Sequence, residues 1–267
     1  MKKFSIILPT LNESQNLSFL IPQIFETLNK SNSNFTFEII VIDDNSEDDT
    51  KEVIEELKKD YLDLKFVIRK NDRSLSMSIL EAIRLSKNDY VIWLDADGSM
   101  PAATLSVLIN EQLKAENNVI IGSRFIEGGG YKGMSNDKNK NIFSAILNVS
   151  RSKDSVLGLI LSLIFNKVLT ILLPTGVKDI TSGFISIDRN LISDEVFKDR
   201  VYGEYFIYLV TDLIKKKIVI KEIGYVCGTR YFGESKTAPN IFKLIKRGVP
   251  YLKASYICRK ELYGNKR

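Results

Sequence analysis

From the amino terminus, short runs rich in β-branched residues alternate with stretches of helical period: Ser5–Leu8, Glu38–Ile42, Lys65–Ile68, Tyr90–Leu94 and Val119–Ile121. Strands separated by helix-length segments are not joined as hairpins, because parallel neighbours need a long crossover connection. The alternation therefore predicts an α/β fold, a mostly parallel sheet with flanking helices. Leu17, Leu20, Ile21, Ile24 and Leu28 recur on one face of the first intervening segment, and Val53, Ile54 and Leu57 on one face of the second. Pro22 falls in the middle of the first helix and weakens it. Asp48 or Asp49 can cap the second, whose acids early and lysines late, from Glu52 to Lys59, suit the helix dipole.

After Gly122-Ser123-Arg124 the texture changes. Gly128-Gly129-Gly130 opens a polar stretch rich in Asn and Lys that ends near Lys153 and reads as a mobile loop. An apolar helix follows over Val156–Leu173, and Asp179-Ile180-Thr181-Ser182-Gly183-Phe184 then leads into a strand at Ile185–Ile187. A helix from about Glu204 to Lys217, a strand over Ile218–Tyr225, a loop around Arg230–Lys236 and a basic helix from roughly Asn240 to Leu262 complete the chain.

A chain of 267 residues is one large α/β domain or two small ones, long enough to bury a full core. It contains no histidine, which removes Ser-His and Cys-His nucleophiles and the imidazole base, so acid-base chemistry falls to Asp, Glu, Lys or Tyr. Cys227 and Cys258 show no metal-site spacing, and a reduced, cytoplasmic compartment without a disulfide is the expectation. Met1-Lys2-Lys3 leads only into a short strand, so no signal peptide is expected. Asn166 and Lys167 interrupt Val156–Leu173, which is too short and too polar for a membrane span. The net charge is +5, and basic residues gather from Lys236 to Arg267, which suggests anionic partners. No nucleic-acid recognition motif accompanies them, so nucleic acid is not an expected partner.

Asp95-Ala96-Asp97 directly follows the apolar run Tyr90–Leu94, thrusting two carboxylates out at the carboxyl end of a buried strand, where open α/β sheets bind ligands. Gly98 permits the turn that aims both at one ligand, and a hard divalent cation would explain the pair. In isolation, a solvated strand-end turn is the simpler explanation. Two more loops, Pro9-Thr10-Leu11-Asn12-Glu13 and Asp43-Asp44-Asn45-Ser46, follow parallel strands and should meet it at the same sheet edge. Crowded carboxylates repel unless something positive sits among them. Asp43 and Asp44 can accept hydrogen bonds from a base or ribose, or cap the helix near Asp48; Asn12 and Glu13 can equally be a helix start.

The ordered set LPTLNE, DDNSEDD, DADGSMP, GSRFIEGGG, DITSGF and RYFGESK, from about residue 5 to 240, resembles the family 2 inverting glycosyltransferases of GT-A type related to dolichyl-phosphate mannose synthase and its bacterial polyprenyl-phosphate counterparts. The resemblance implies a Rossmann-like GT-A catalytic domain over 1–235 and a basic amphipathic tail over 236–267. It implies transfer of a sugar from a nucleotide-diphosphate sugar to polyprenyl phosphate with Mg²⁺ or Mn²⁺. Pro9, Asn12, Glu13, Asp43, Asp44, Asp95, Ala96 and Asp97 would line the donor nucleotide, and Asp95 and Asp97 would hold metal and diphosphate. Arg124 would act with that pair and reach toward phosphate, joined on the acceptor side by Arg151, Ser152, Lys153, Ser182, Arg230 and Lys236.

A phosphate acceptor is already an anion and needs no base, whereas a polysaccharide or other hydroxyl acceptor does, and Glu204 is the candidate. Otherwise Glu204 caps its helix or supports the site. Basic and hydroxyl groups at Arg151–Ser155 suit phosphate binding at a helix start. Leu157, Ile160, Leu161, Ile164, Val168 and Leu172 cover more than one narrow stripe, as an isoprenoid-facing helix would, against the alternative of an ordinary core helix. Ile241, Phe242, Leu244 and Ile245, set against Lys243, Lys246, Arg247, Lys253, Arg259 and Lys260, resemble an interfacial helix on an anionic membrane, with a solvated basic face as competitor. The expected location is thus cytoplasmic and peripheral to the membrane. A non-catalytic sugar-nucleotide or membrane-binding module is the reading from another class. Trp93 is expected in the core.

Overall fold

The computed structural model describes residues 1–31, 34–114, 119–131, 134–135, 156–200, 202–233 and 241–264. The strands are β1 (Lys2–Thr10), β2 (Phe35–Asp43), β3 (Leu64–Ile68), β4 (Tyr90–Trp93), β5 (Val119–Ser123), β6 (Gly130–Tyr131), β7 (Met134–Ser135), β8 (Ile185–Asp188), β9 (Ile220–Gly224) and β10 (Val226–Cys227). The helices are α1 (Ser14–Asn29), α2 (Thr50–Leu57), α3 (Leu75–Leu85), α4 (Ala102–Lys114), α5 (Val156–Leu172), α6 (Tyr205–Lys215) and α7 (Ile241–Tyr263).

Seven strands form one sheet in the order β3-β2-β1-β4-β8-β5-β9. The pairs β1–β2, β2–β3, β1–β4 and β5–β9 are parallel, while β8 runs antiparallel to both β4 and β5. The mostly parallel α/β sheet is therefore as expected. The chain lays β2 and β3 to one side of β1 and then crosses to place β4 on the other, so β1 and β4 flank a topological switch point, the crevice where such sheets bind ligands.

Strand periodicity sorts side chains into two layers. Phe4, Ile6, Leu8, Ile39, Val41, Ile92 and Leu94 pack with Leu17, Leu20 and Ile21 of α1, Ile54 of α2 and Leu105 and Leu108 of α4. Ile7, Ile40, Ile42, Val91 and Trp93 face the opposite way, onto Ile79 and Ile83 of α3 and Phe206, Leu209 and Leu213 of α6. Each such aliphatic side chain contributes about 1.5–3 kcal/mol on burial. This explains why α1 continues unbroken through Pro22, with its apolar face fully packed on the sheet. Asp48 rather than Asp49 serves the start of α2, accepting the Thr50 N–H at 3.2 Å; the Asp49 side chain makes no capping bond.

The expected strand Ile218–Tyr225 is the shorter β9, and an unexpected two-residue strand, β10, follows it. β9 stays in the large sheet, and β10 joins β6 and β7 in a small second sheet. Part of the expected loop after Gly128 is thus strand, and its later portion, 136–155, falls outside the described residues. A third apolar cluster, Leu169, Leu173, Ile180, Ile207, Ala254 and Cys258, joins α5, α6 and α7. Arg259 donates to the Leu172 carbonyl at 2.7 Å, the Tyr263 hydroxyl to the Pro174 carbonyl at 2.8 Å, and Lys215 pairs with Glu261 at 3.1 Å. The basic carboxyl-terminal helix therefore packs along the body. Ile164, Val168, Ile171 and Leu172 of α5 and Val249, Leu252 and Tyr256 of α7 remain exposed. Among the described residues, no helix is long and apolar enough to cross a membrane.

Candidate active site

The loops after β1 and β2 are stitched together by backbone and side-chain bonds. The Asp44 N–H donates to the Thr10 carbonyl at 2.8 Å, the Asn12 N–H to Ser46 Oγ at 2.7 Å, and the Glu47 N–H to Asn12 Oδ1 at 2.8 Å. Asn12 (φ 53°) and Asn45 (φ 62°) take left-handed conformations that Asn tolerates better than most residues. Pro9 sits half-buried in β1 opposite Ile42. Asp43 accepts the Ser46 N–H at 3.0 Å and the Ser46 hydroxyl, so its carboxylate is fixed at the loop rim.

Asp44 points elsewhere. It pairs with the buried guanidinium of Arg69 and accepts the Ser74 N–H at 2.6 Å, while Arg69 also reaches Glu81 at 3.0 Å. Asp44 thereby fastens β2 to β3 and to the start of α3; these contacts direct it into the protein rather than toward a nucleoside.

The loop after β4 brings Asp95 and Asp97 to the crevice. Asp97 Oδ1 accepts the Ser99 N–H at 2.9 Å, and Oδ2 pairs with Arg230 Nη2 at 2.9 Å. Arg230 Nη1 lies 3.4 Å from Glu13 Oε1, so one guanidinium from near the carboxyl end joins the β1 and β4 loops. Ala96 is buried between them. Asp95 keeps solvent contact, yet the protein around it and, next, the negative charge of Asp97 push its carboxyl up to about 7, against the opposing charges of Arg230 and Arg124. Trp93, buried as expected, donates from Nε1 to the Tyr205 hydroxyl at 2.9 Å beneath this loop.

Arg124, just past β5, is held by Asp179: Nε and Nη2 each donate to a carboxylate oxygen at 2.7 Å, the backbone N–H adds a bond at 3.0 Å, and Nη2 also reaches Thr181 Oγ1 at 3.0 Å. Burial opposes its charge, but the fully buried Asp179 more than offsets this and keeps Arg124 protonated. The positive charge of Arg124 is felt at Asp95, where it opposes the rise of that carboxyl. Ser182 is committed to the backbone, its hydroxyl donating to the Gly122 carbonyl and accepting the Phe184 N–H. Glu204 is buried at the start of α6 and accepts the Tyr202 N–H at 3.0 Å. Tyr251 of α7 approaches the neighbouring Gly203, and burial followed by the charge of Glu204 raises its hydroxyl well above the ordinary range. Arg151, Ser152, Lys153 and Lys236 lie outside the described residues.

Sequence reasoning missed Asp179, Asn16, Tyr231 and Tyr251. Asp179 carried a signal, since it opens the DITSGF segment and a buried acid demands a partner. The others are ordinary helix or loop residues until the fold brings them in.

Among the described residues, no group of three or more His, Cys, Asp or Glu side chains is arranged to hold a metal alone. The donor set instead suits a hard cation shared with a ligand. Enclosure by the protein and, next, the charge of Asp97 raise Asp95, and Mg²⁺ or Mn²⁺ held by the two carboxylates together with diphosphate and water oxygens would favour its charged form.

The glycosyl transferase family 2 model matches residues 5–194. The chain is similar to a dolichol-phosphate mannosyltransferase of Pyrococcus furiosus, 29% identical over 88% of this chain and 59% of the relative, so it spans well under two thirds of that protein. A dolichol-phosphate mannosyltransferase of Saccharomyces cerevisiae is 24% identical over 96% of this chain and 87% of the relative. Among solved structures, glucosyl-3-phosphoglycerate synthase from Mycobacterium tuberculosis, in complex with Mn²⁺, UDP and glucosyl-3-phosphoglycerate, superposes with a TM-score of 0.66 at 16% identity, over 96% of this chain and 80% of that one. That likeness establishes the GT-A fold. Sheet, site and family model agree, and the chain belongs to glycosyl transferase family 2.

Proposed function

We propose that this enzyme transfers a hexose from a nucleotide-diphosphate sugar to the phosphate of a polyprenyl lipid, using Mg²⁺ or Mn²⁺ at Asp95 and Asp97. The observation that carries the donor half is the convergence of Glu13, Asp97 and Arg230 on one crevice beside Asp95. Asp43 and the Asn12 loop form the nucleoside end, with their acceptors already oriented by Ser46 and Glu47. The bound metal would supply charge neutralisation on the departing diphosphate. Arg230, within reach of the same place, adds a fixed positive charge that counts most as negative charge grows there in the transition state. Arg124, kept rigid by Asp179, holds a second positive charge near Asp95.

For the acceptor, the names of the Pyrococcus and Saccharomyces relatives favour a polyprenyl phosphate. Glu204, the one candidate base, is buried at the start of α6, and a phosphate nucleophile needs no base. The exposed apolar side chains of α5, with Lys253, Arg259 and Lys260 of α7, give the kind of surface that rests on an anionic membrane. The test is incubation of the protein and Mg²⁺ or Mn²⁺ with a panel of nucleotide sugars, with and without short-chain polyprenyl phosphate, and mass spectrometry of the products. A lipid-linked sugar supports the reading. Its absence with every donor overturns it, and transfer only to a hydroxyl compound shifts the acceptor to polysaccharide.

A further inference from the structure

We propose that Arg230 takes a cation's place between Asp97 and Glu13 until donor and metal bind, seated there by a clasp made of Tyr231 on Gly98 and Phe232 on Asn16. The segment 228–233 crosses the β4 loop and α1. The Gly228 N–H donates to the Ser99 carbonyl at 2.8 Å and the Tyr231 N–H to the Asp97 carbonyl at 3.2 Å. Asn16, buried on α1, takes the Phe232 N–H on Oδ1 at 2.8 Å and returns a bond from Nδ2 to the Phe232 carbonyl at 3.4 Å. The same Nδ2 holds Glu13, one of the two carboxylates that Arg230 bridges. The Tyr231 hydroxyl donates to Gln23 at 2.8 Å, and Phe232 packs on Phe19 with ring centroids 5.1 Å apart.

Gly98 is what makes the seat possible. Its φ is +79°, and a Cβ there would fall 2.5 Å from the Tyr231 ring, so the aromatic face lies directly on the backbone between the aspartates and Ser99. Tyr231 and Asn16 are therefore positioning residues for Arg230: they fix the backbone on both sides of it, and its guanidinium meets Asp97 and Glu13 as a consequence. An immobilised cation among carboxylates lowers their mutual repulsion in the free enzyme and competes with a metal ion that arrives alone. A metal arriving with a diphosphate gives the guanidinium a new anionic partner, so the two bind together more readily than the metal binds by itself.

This inference rests on the reading of Asp95 and Asp97 as the donor and metal site, and opposite signs in two titrations separate it from that reading. Mn²⁺ alone, and Mn²⁺ with UDP or GDP, are titrated into wild type, Arg230→Gln, Tyr231→Ala and Tyr231→Phe, and hydrogen exchange is followed over 228–233 in the metal-free proteins. Arg230→Gln and Tyr231→Ala are expected to bind Mn²⁺ alone several-fold more tightly, and Mn²⁺ with diphosphate at least several-fold more weakly. Tyr231→Phe keeps the ring on Gly98 and stays near wild type in both. Tyr231→Ala also loses protection at 231 and 232. A wild type that binds no nucleoside diphosphate with Mn²⁺, CDP, ADP and dTDP included, refutes the donor reading, and exchange then judges the clasp separately: unchanged protection in Tyr231→Ala overturns it. In a wild type that binds, Mn²⁺ and diphosphate affinities that fall together, or do not change, overturn the role assigned to Arg230.

Discussion

Asp179 shows how one side chain sets another. It is fully buried and carries three bonds from Arg124, so Asp179→Ala leaves a guanidinium in the interior without its counter-charge. A stability loss of about 3–5 kcal/mol is expected, read from urea unfolding; a loss below about 1 kcal/mol would show that Arg124 finds another partner. Asp95 adds a pH dependence. Its carboxyl is raised from 3.8 to about 7, so across that window the metal-free native state holds a proton that the unfolded chain has released, and stability declines as pH rises through it. A divalent ion competes with the same proton. Binding of Mn²⁺ with UDP or GDP should therefore strengthen between about pH 6 and about pH 8, and calorimetry giving equal affinities at both would contradict the assignment.

At the scale of elements, the sheet and its helices were legible because strand and helix periods differ and the runs were long enough to show which was present. Ile92, fully buried in β4, is the kind of residue that carried this pattern; Ile92→Ala should cost about 2–5 kcal/mol in the same unfolding experiment. The reversed direction of β8 and the small second sheet were not legible, since strand direction leaves no mark on composition and two-residue strands have no period. The docking of α7 was hidden for a related reason: its basic residues announce solvent, while it is fixed by the small buried Ala254 and Cys258, by the Lys215–Glu261 pair and by single bonds from Arg259 and Tyr263 to backbone carbonyls, which no periodicity announces. Burial pushes the Cys258 thiol upward, with a Thr211 hydrogen bond opposing. Cys258 should resist alkylation in the native protein, and Ala254→Glu, which pries α7 from α6, should expose it; rapid alkylation of the wild type would show that the helix does not stay docked.

For the whole molecule, the meeting of the first loops at one crevice could be expected because each lies at the end of a parallel strand, whereas the clasp joins Gly98 to Tyr231, residues related only through the completed fold. The surface proposed to rest on a membrane makes its own prediction. Ile171 is 64% exposed, so Ile171→Glu should leave folding intact and weaken sedimentation with anionic vesicles by about tenfold, as added salt should too. Equal vesicle binding by both proteins would move the contact surface elsewhere.

Because β8 runs against its neighbours, the chain reaches the crevice edge before entering that strand, whereas it reaches the same edge on leaving β1, β2 and β4. Asp179 and Thr181 arrive on the inbound stretch, and Glu13, Asp43 and Asp97 on outbound ones. In the proposed reaction the carboxylates on the donor side are thus supplied within the first hundred or so residues, while the cations set against them, Arg124 and Arg230, arrive from later stretches, so that charge is balanced only once the second half of the chain has folded onto the first.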